Sequence, residues 1–155
     1  MAVTIIQVQS DDFDIGEEVA RVRKSYSVGA IAVFIGLVRD FNGGDDVSGM
    51  TLEHYPGMTE KSIQEIVDSA AERWSLKCVS VVHRIGPLLP GDQIVFVGVS
   101  SSHRAASFEA CEFVMDYLKT RAPFWKKEAL GQNKSRWVDS RETDQKATER
   151  WGGVP

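Results

Sequence analysis

The chain has 155 residues, 43% of them hydrophobic and 26% charged, which is typical of a folded globular domain and not of a disordered one. The formal net charge of -4 argues against nucleic acid as the main partner, because duplex-binding proteins usually carry a basic balance. The longest apolar run, residues 28–38, is too short to span a bilayer, and the N-terminus lacks a signal-peptide pattern, so we expect a cytoplasmic protein with no membrane partner.

Apolar periodicity and turn residues predict the elements of the first half of the chain. Strands are predicted over residues 4–9, 28–38 and 50–55, the second of them buried. Helices are predicted over residues 15–24, behind a capping box formed by Asp14 and Glu17, and over residues 59–74. The polar, glycine-bearing segment 40–46 is expected to be a mobile loop.

The second half is predicted to hold two strands, one long helix and a polar tail. The strands cover residues 77–84 and 93–100 and are joined by the turn-rich connection 86–92. The helix covers residues 102–121 and is stopped by Pro123, which lacks an N–H donor. From residue 131 onward the chain is polar, with Trp137 and Trp151 as isolated anchors and a short helix over residues 142–150.

These elements predict a single α+β domain over residues 1–155. It would hold four or five strands in a mainly antiparallel or mixed sheet, with two principal helices packed on it. Strands and helices do not alternate strictly, and neither Gly-x-Gly-x-x-Gly nor a P-loop occurs, so a Rossmann arrangement is disfavoured.

The first candidate site is a basic cluster around Pro123. Lys119, Arg121, Lys126 and Lys127 stand against the single acid Glu128, on a protein that is acidic as a whole. Lysine binds phosphate as a point charge, and a partly buried lysine can act as a base. A solvated helix end would also attract cations, but it needs one or two of them and not four spread across a proline turn.

The second candidate joins a predicted strand to the start of the long helix. Ser102 can cap this helix, His103 can shuttle a proton, and Arg104 offers a planar fork for phosphate or carboxylate. A plain serine cap with two exposed side chains is the alternative. Arg39, at the end of a strand beside the loop 40–46, could be a substrate clamp or an ordinary surface charge.

The two clusters lie too far apart to bind one small substrate within one subunit. Arg104 and Lys119 are separated by fifteen residues of helix, or about 22 Å at 1.5 Å per residue. Either one cluster is functional, or a homodimer shares its sites between subunits, and we favour the homodimer.

The histidines and cysteines indicate no metal or cofactor site. No two of His54, His83 and His103 have the spacing of a helical metal site, and His54 and His83 are interpreted as hydrogen-bonded structural residues in strands. Cys78 and Cys111 form no Cys-x-x-Cys pair and are interpreted as buried thiols, although a disulfide between them is not excluded by the sequence.

Several ordered motifs run through the chain: Leu52-Glu-His-Tyr-Pro-Gly-Met58, His83-Arg-Ile-Gly86, Pro90-Gly-Asp92, Val97-Gly-Val99, Ser102-His-Arg104 and Tyr117-Leu-Lys-Thr-Arg-Ala-Pro-Phe-Trp-Lys126. Together they resemble one family, the large, catalytic subunits of molybdopterin synthase (MoaE). The resemblance implies an α/β-hammerhead fold and a homodimer within a heterotetramer, in which each large subunit binds one small ubiquitin-like sulfur carrier. The implied activity is transfer of sulfur from the thiocarboxylated carrier to cyclic pyranopterin monophosphate (precursor Z), which forms molybdopterin without a cofactor.

The resemblance also implies roles for individual residues. Lys119 and Lys126 match the catalytic lysines, with Lys119 expected to transfer protons and Lys126 to offset anionic charge, although the sequence leaves this division open. The implied substrate-binding residues are Arg39, His103, Arg104, Lys127, Glu128 and the pocket walls Phe34 and Met115. His103 and Arg104 would come from the neighbouring subunit. A phosphate-metabolite enzyme that uses no sulfur, and a non-catalytic docking protein, are the rival hypotheses.

Overall fold

The computed structural model describes residues 2–138 and 142–152, and these form nine strands and four helices. The strands are β1 (Val3–Gln9), β2 (Ala30–Leu37), β3 (Phe41–Asn42), β4 (Asp45–His54), β5 (Leu76–Arg84), β6 (Gly86–Leu88), β7 (Gln93–Ser101), β8 (Phe124–Leu130) and β9 (Lys134–Val138). The helices are α1 (Ile15–Val22), α2 (Met58–Arg73), α3 (Arg104–Thr120) and α4 (Glu142–Glu149). None of these helices is long and apolar enough to cross a membrane.

The first sheet has the strand order β1-β5-β7-β2 and carries the main core. Strand β1 runs parallel to β5, while β5 and β2 both pair antiparallel with β7, so the sheet is mixed, as predicted. Helices α2 and α3 bury their apolar residues in this core, among them Ile63 and Val67 from α2 and Phe113 and Val114 from α3. The predicted α+β class with two principal helices is therefore confirmed.

The second sheet is larger than the sequence indicated. Its strand order is β3-β4-β8-β9, and β6 pairs with the other side of β4. Segment 40–46 is not a loop as predicted. It forms the β3–β4 hairpin, whose turn uses Gly43 and Gly44 at positive φ, where glycine lacks the Cβ clash of other residues. The Val47 N–H also donates to the Asp40 carbonyl at 2.8 Å.

The basic segment and the polar tail form a second hairpin, which was not predicted from the sequence. Strand β8 pairs antiparallel with both β4 and β9. Gln132 and Asn133 adopt positive φ in the turn between β8 and β9, without the Asn-Gly or Asp-Gly pair that signals a tight hairpin. Trp151 does act as an anchor, with its ring edge-on to Trp74 and Phe113, whereas Trp137 is largely exposed.

Three local predictions need correction. Strand β2 is an edge strand of its sheet, and Val33, Phe34 and Leu37 are partly exposed, so it is not a buried strand. Its apolar run reads as a core strand because side chains on both of its faces are apolar. Ser102 does not cap α3, because the N-cap residue is His103. Helix α1 is capped by Asp14 as predicted, but it ends at Val22.

Candidate functional site

A cavity of about 910 Å³ lies where β2, the end of α3, β8 and the β3–β4 hairpin meet. Six residues that the sequence analysis proposed for the site line it: Phe34, Arg39, Met115, Lys119, Lys126 and Glu128. The cavity is also lined by residues that were not proposed, including Asn42, His83, Arg136 and Asp144. Residues of β2 and Met115 and Leu118 of α3 form apolar walls, and Lys119, Lys126 and Glu128 supply charged groups. Apolar walls with a few polar groups are the usual construction of a small-molecule site.

Two lysines meet in this cavity because the chain reverses at Pro123. Lys119 lies in the last turn of α3, and Lys126 follows in β8, where it pairs with Leu52 of β4. The turn is held by the Thr59 hydroxyl, which donates to the Pro123 carbonyl at 3.0 Å. Pro123 therefore does more than prevent the helix from continuing, since it lies in the turn that leads directly into β8 and its second lysine.

The environment of Lys126 disfavours its charged form. Burial lowers the pKa of Lys126 to about 8, and the neighbouring charge of Lys119 and a hydrogen bond with Lys119 act in the same direction. Asp144 and Glu128 oppose this shift by favouring the ammonium form. A lysine with a pKa near 8 can exchange a proton close to neutral pH, which an ordinary lysine does poorly.

His83 supports the floor of the cavity as a neutral ring. It stacks on Phe124 with 3.7 Å between ring centroids, and its Nδ1 lies 2.8 Å from the Arg84 carbonyl oxygen. A carbonyl only accepts, so Nδ1 carries the hydrogen and Nε2 the lone pair. Burial, Lys126, Lys119 and His54 lower the pKa of His83 to about 3, although the bond to Arg84 opposes the shift. The predicted hydrogen-bonded role is confirmed, but the sequence did not show that His83 lines the cavity.

Arg39 stands at the rim of the cavity on a fixed piece of backbone. Val38, which precedes it, is buried; its N–H donates to the Asp92 carbonyl at 2.9 Å, and its carbonyl accepts from the Gly91 N–H at 2.8 Å. Arg39 therefore follows directly on a residue whose backbone is held by two hydrogen bonds.

Alternation along β8 separates the residues of the basic segment. Lys126 and Glu128 line the cavity, whereas Lys127 is exposed on the opposite face, with its Nζ 5.6 Å from the centroid of the Trp137 ring. The prediction of a single basic cluster is wrong on this point, because the strand that separates the side chains was not predicted. Within one chain, Lys127 and the cavity do not meet.

His103 and Arg104 also lie outside the cavity, at the exposed start of α3. The Ser101 hydroxyl donates to the His103 carbonyl and lies within hydrogen-bonding distance of the Ser107 hydroxyl, which orders this turn. Arg104 and Lys119 lie in one uninterrupted helix, which places them about 22 Å apart at 1.5 Å per residue. One chain brings together only part of the proposed site.

Comparison with known proteins assigns the family. A family model described as MoaE protein matches residues 8–121. A molybdopterin synthase catalytic subunit from Vibrio cholerae is 59% identical over 146 residues, which cover 94% of this chain and 97% of that protein. The same-named protein from Escherichia coli is 56% identical over 151 residues, covering 97% of this chain and 100% of the relative. The chain belongs to the MoaE family.

A solved structure agrees with this assignment. The molybdopterin biosynthesis MoaE protein from Burkholderia ambifaria has a TM-score of 0.83 and 52% sequence identity, covering 99% of this chain and 100% of that one. The fold that the sequence motifs implied is therefore confirmed over nearly the whole chain.

Proposed function

We propose that this chain is the catalytic subunit of a molybdopterin synthase. It would transfer sulfur from the thiocarboxylated C-terminus of a small ubiquitin-like carrier to cyclic pyranopterin monophosphate, and so form the molybdopterin dithiolene. Membership of the MoaE family supports the reaction class. The observation that carries the proposal is the pair of hydrogen-bonded lysines, Lys119 and Lys126, inside a cavity large enough for a pterin.

The charges of the cavity suit both substrates, since the pterin carries a cyclic phosphate and the carrier a thiocarboxylate. Arg39, Lys119 and Lys126 line the cavity of a protein whose formal net charge is -4. Concentrating cations in one cleft of an acidic protein raises the local concentration of anionic ligands there. Phe34 and Met115 supply apolar walls against which a flat ring can pack.

We assign proton transfer to Lys126 and charge stabilisation to Lys119, the reverse of the first expectation from the sequence. The reason is the pKa of about 8 that burial and Lys119 give to Lys126. Its ammonium can give a proton to the oxygen that the attacking thiocarboxylate sulfur displaces from the pterin substrate. The neutral amine can then take a proton from the water that cleaves the acyl–sulfur bond, which leaves the sulfur on the pterin and releases the carrier carboxylate. Lys119 would remain the nearby cation that keeps this amine poised and offsets the anionic substrates.

The exposed residues complete the site only in an assembly. We propose a homodimer in which His103 and Arg104 of one subunit face the cavity of the other, with one carrier bound to each subunit. This arrangement accounts for the position of both residues outside the cavity of their own chain. Lys127, on the outer face of β8, would then contact the carrier or the partner subunit and not the pterin directly.

We also propose that the protein acts in the cytoplasm and without a cofactor. Both cysteines are buried thiols that form no disulfide, as is usual in a reducing compartment. The donor sulfur arrives on the carrier, so neither cysteine needs to carry it.

The direct test mixes the purified chain with thiocarboxylated carrier and precursor Z. Dithiolene formation is followed through its fluorescent oxidised derivative. The expected result is product in proportion to carrier, with two carriers consumed for each pterin, because each delivers one sulfur. A folded chain that makes no product with a carrier shown to be competent elsewhere would overturn the proposal and favour a phosphate-metabolite enzyme that uses no sulfur.

A further inference from the structure

Glu128 is a buried carboxylate whose oxygens are already occupied by protein donors. The Asn42 side-chain amide lies 3.1 Å from one carboxylate oxygen and 3.0 Å from the other. The Arg136 Nε donates to the first oxygen at 3.0 Å. Only 3% of Glu128 is exposed, so little of the carboxylate is left for a ligand to contact.

Arg136 extends this network from β9 to both arms of the β3–β4 hairpin. Its Nη1 donates to the Asp45 carboxylate at 2.7 Å, and its Nη2 donates to the Asn42 carbonyl at 2.9 Å. Asn42 and Asp45 flank the two-glycine turn of the hairpin. One guanidinium therefore ties the tip of the hairpin to the strand pair that carries Lys126.

The hairpin needs such a tie because its own pairing is short. Strand β3 has two residues, and only Phe41–Asp46 and Asn42–Asp45 pair with β4. An isolated two-stranded hairpin is at best marginally stable in water, and two glycines in the turn add conformational freedom. Yet Phe41, Asn42 and Gly43 of this hairpin line the cavity.

The charge of Glu128 also fits a role within the protein better than a contact with substrate. Both proposed substrates are anions, and a carboxylate facing them would repel them. The ion pair with Arg136 offsets this charge, and the hydrogen bonds from Asn42 satisfy its lone pairs.

We propose that Asn42, Glu128 and Arg136 form a clamp that holds the β3–β4 hairpin as a wall of the substrate cavity. The three are positioning residues, which act through the placement of the cavity-lining Phe41 and Gly43 and not by contact with the pterin. The inference rests on the proposed function for the identity of the substrate, whereas the clamp itself can be tested without substrate.

Hydrogen exchange of the backbone amides of residues 40–47, in the protein without substrate, tests the clamp. Glu128→Gln keeps the shape of the side chain and removes its charge. Arg136→Gln removes the guanidinium that bonds to Glu128, Asp45 and Asn42. Both are expected to speed exchange in this segment at least threefold, because the hydrogen bonds lost involve charged groups. Lys134→Gln, an equal loss of charge at an exposed position of the same strand, is the matched control and should leave the rates unchanged.

Kinetics of dithiolene formation separate positioning from direct contact. Glu128→Gln and Arg136→Gln should each raise KM for the pterin with little change in kcat, because a displaced cavity wall at Phe41 weakens binding of the ground state and of the transition state alike. The double variant should be no worse than the worse single variant, since both substitutions break one clamp. Circular dichroism and thermal unfolding check that each variant is folded.

Two results would overturn the clamp. One is exchange at wild-type rates in folded Glu128→Gln protein with a raised KM, which would make Glu128 a substrate ligand. The other is a double variant whose effect on KM is the product of the two single effects, which would mean that the residues act independently. Failure of the wild type to form dithiolene would instead count against the proposed function and would leave the exchange result standing.

Discussion

The two ends of helix α3 carry the two basic clusters of the chain, and the fold treats them differently. At the C-terminal end, Lys119 points into a walled cavity because β8 returns beside the helix with Lys126. At the N-terminal end, His103 and Arg104 are exposed, although their turn is ordered by the Ser101 hydroxyl. The C-terminal end therefore contributes to a walled site within its own chain. The N-terminal end presents exposed side chains that lie outside that cavity.

This contrast teaches that charge alone does not identify a reactive group. Both ends are rich in cations, but only the C-terminal end combines cations with burial. Burial lowers the pKa of Lys126 and makes its proton labile near neutral pH, whereas exposed cations serve to attract and orient anions. We therefore expect chemistry at one end of the helix and substrate orientation at the other.

The largest expected effect follows from substitution of Lys126. Lys126→Ala should lower kcat for dithiolene formation by about 100-fold or more, the usual contribution of a general acid–base residue. Lys126→Arg keeps a cation but cannot lose its proton, so it should be nearly as inactive. Single-turnover formation of the fluorescent derivative measures both.

Lys119→Arg is the matched comparison, because Lys119 is assigned the electrostatic role. It should retain clearly more activity than Lys126→Arg, and the exposed Lys134→Ala should retain all of it. Equal activity of Lys126→Arg and wild type would show that Lys126 acts only through its charge. Burial would then not distinguish a proton-transfer residue from an anion-binding one.

The next effect tests whether the two ends of the helix meet across a dimer. Lys119→Ala and Arg104→Ala chains should each be strongly impaired alone. Mixed after co-refolding, they should recover about a quarter of wild-type activity, because half of the dimers are mixed and each of these holds one intact site. The measurement is dithiolene formation against the mixing ratio.

A mixture no more active than the average of its two components would contradict the shared site. Each chain would then need its own Arg104, or Arg104 would have no role. Mixing Lys119→Ala with Lys126→Ala chains is the control, since both residues line the same cavity of one chain and no mixed dimer gains a complete site.

Much of the first sheet could be predicted from the sequence, and much of the second could not. The long helices and β5 and β7 have clear apolar periodicity because one sheet and two helices bury them. Strands β8 and β9 are polar, because β8 lines a charged cavity on one side and faces outward on the other. Strand β8 pairs with β4, which lies far away in the chain, and β9 pairs in turn with β8, so no local apolar pattern reveals either strand.

The candidate site divides in the same way. The lysines could be proposed because four cations around a proline are unusual in an acidic chain and match a family motif. Arg136 and Asn42 could not be proposed from the sequence, because their role depends on hydrogen bonds to Glu128. These bonds join residues that are 8 and 86 positions apart in the chain. His83 stood in a predicted strand, but only the stacking on Phe124 places it beside the lysines.

A smaller effect concerns His83, which lines the cavity together with Lys119 and Lys126. The folded protein takes up a proton on His83 only near pH 3, whereas the unfolded chain does so near 6.5. Between these values the unfolded state binds more protons, so the free energy of unfolding should fall as pH falls, by about 1.4 kcal/mol per pH unit. Above pH 6.5 the contribution of His83 is constant.

Urea unfolding of the wild type and His83→Asn at pH 7 and pH 5 measures the contribution of His83 to the free energy of unfolding. The variant should be less stable at pH 7, and the gap should shrink by about 2 kcal/mol at pH 5, because the variant lacks the titrating ring. Val82→Ala, a buried neighbour in the same strand, should lose stability equally at both pH values. An equal loss of stability at both pH values for His83→Asn would mean that the folded protein does not hold the ring neutral.

The smallest effect is expected at the middle of α3, between the two clusters. Cys111 is buried there, and burial together with the charge of Glu112 raises the pKa of its thiol to about 12. A persulfide relay needs a thiolate, which this environment disfavours, so Cys111→Ala should keep wild-type kcat while losing about 1 kcal/mol of stability from the cavity it leaves. Burial raises the pKa of Cys78 as well, and Cys78→Ala should likewise keep wild-type kcat.

A tenfold loss of kcat in a folded Cys111→Ala protein, with carrier binding intact, would show that the thiol in the middle of α3 takes part in sulfur transfer. The division between a reactive end and an orienting end would then no longer describe the molecule.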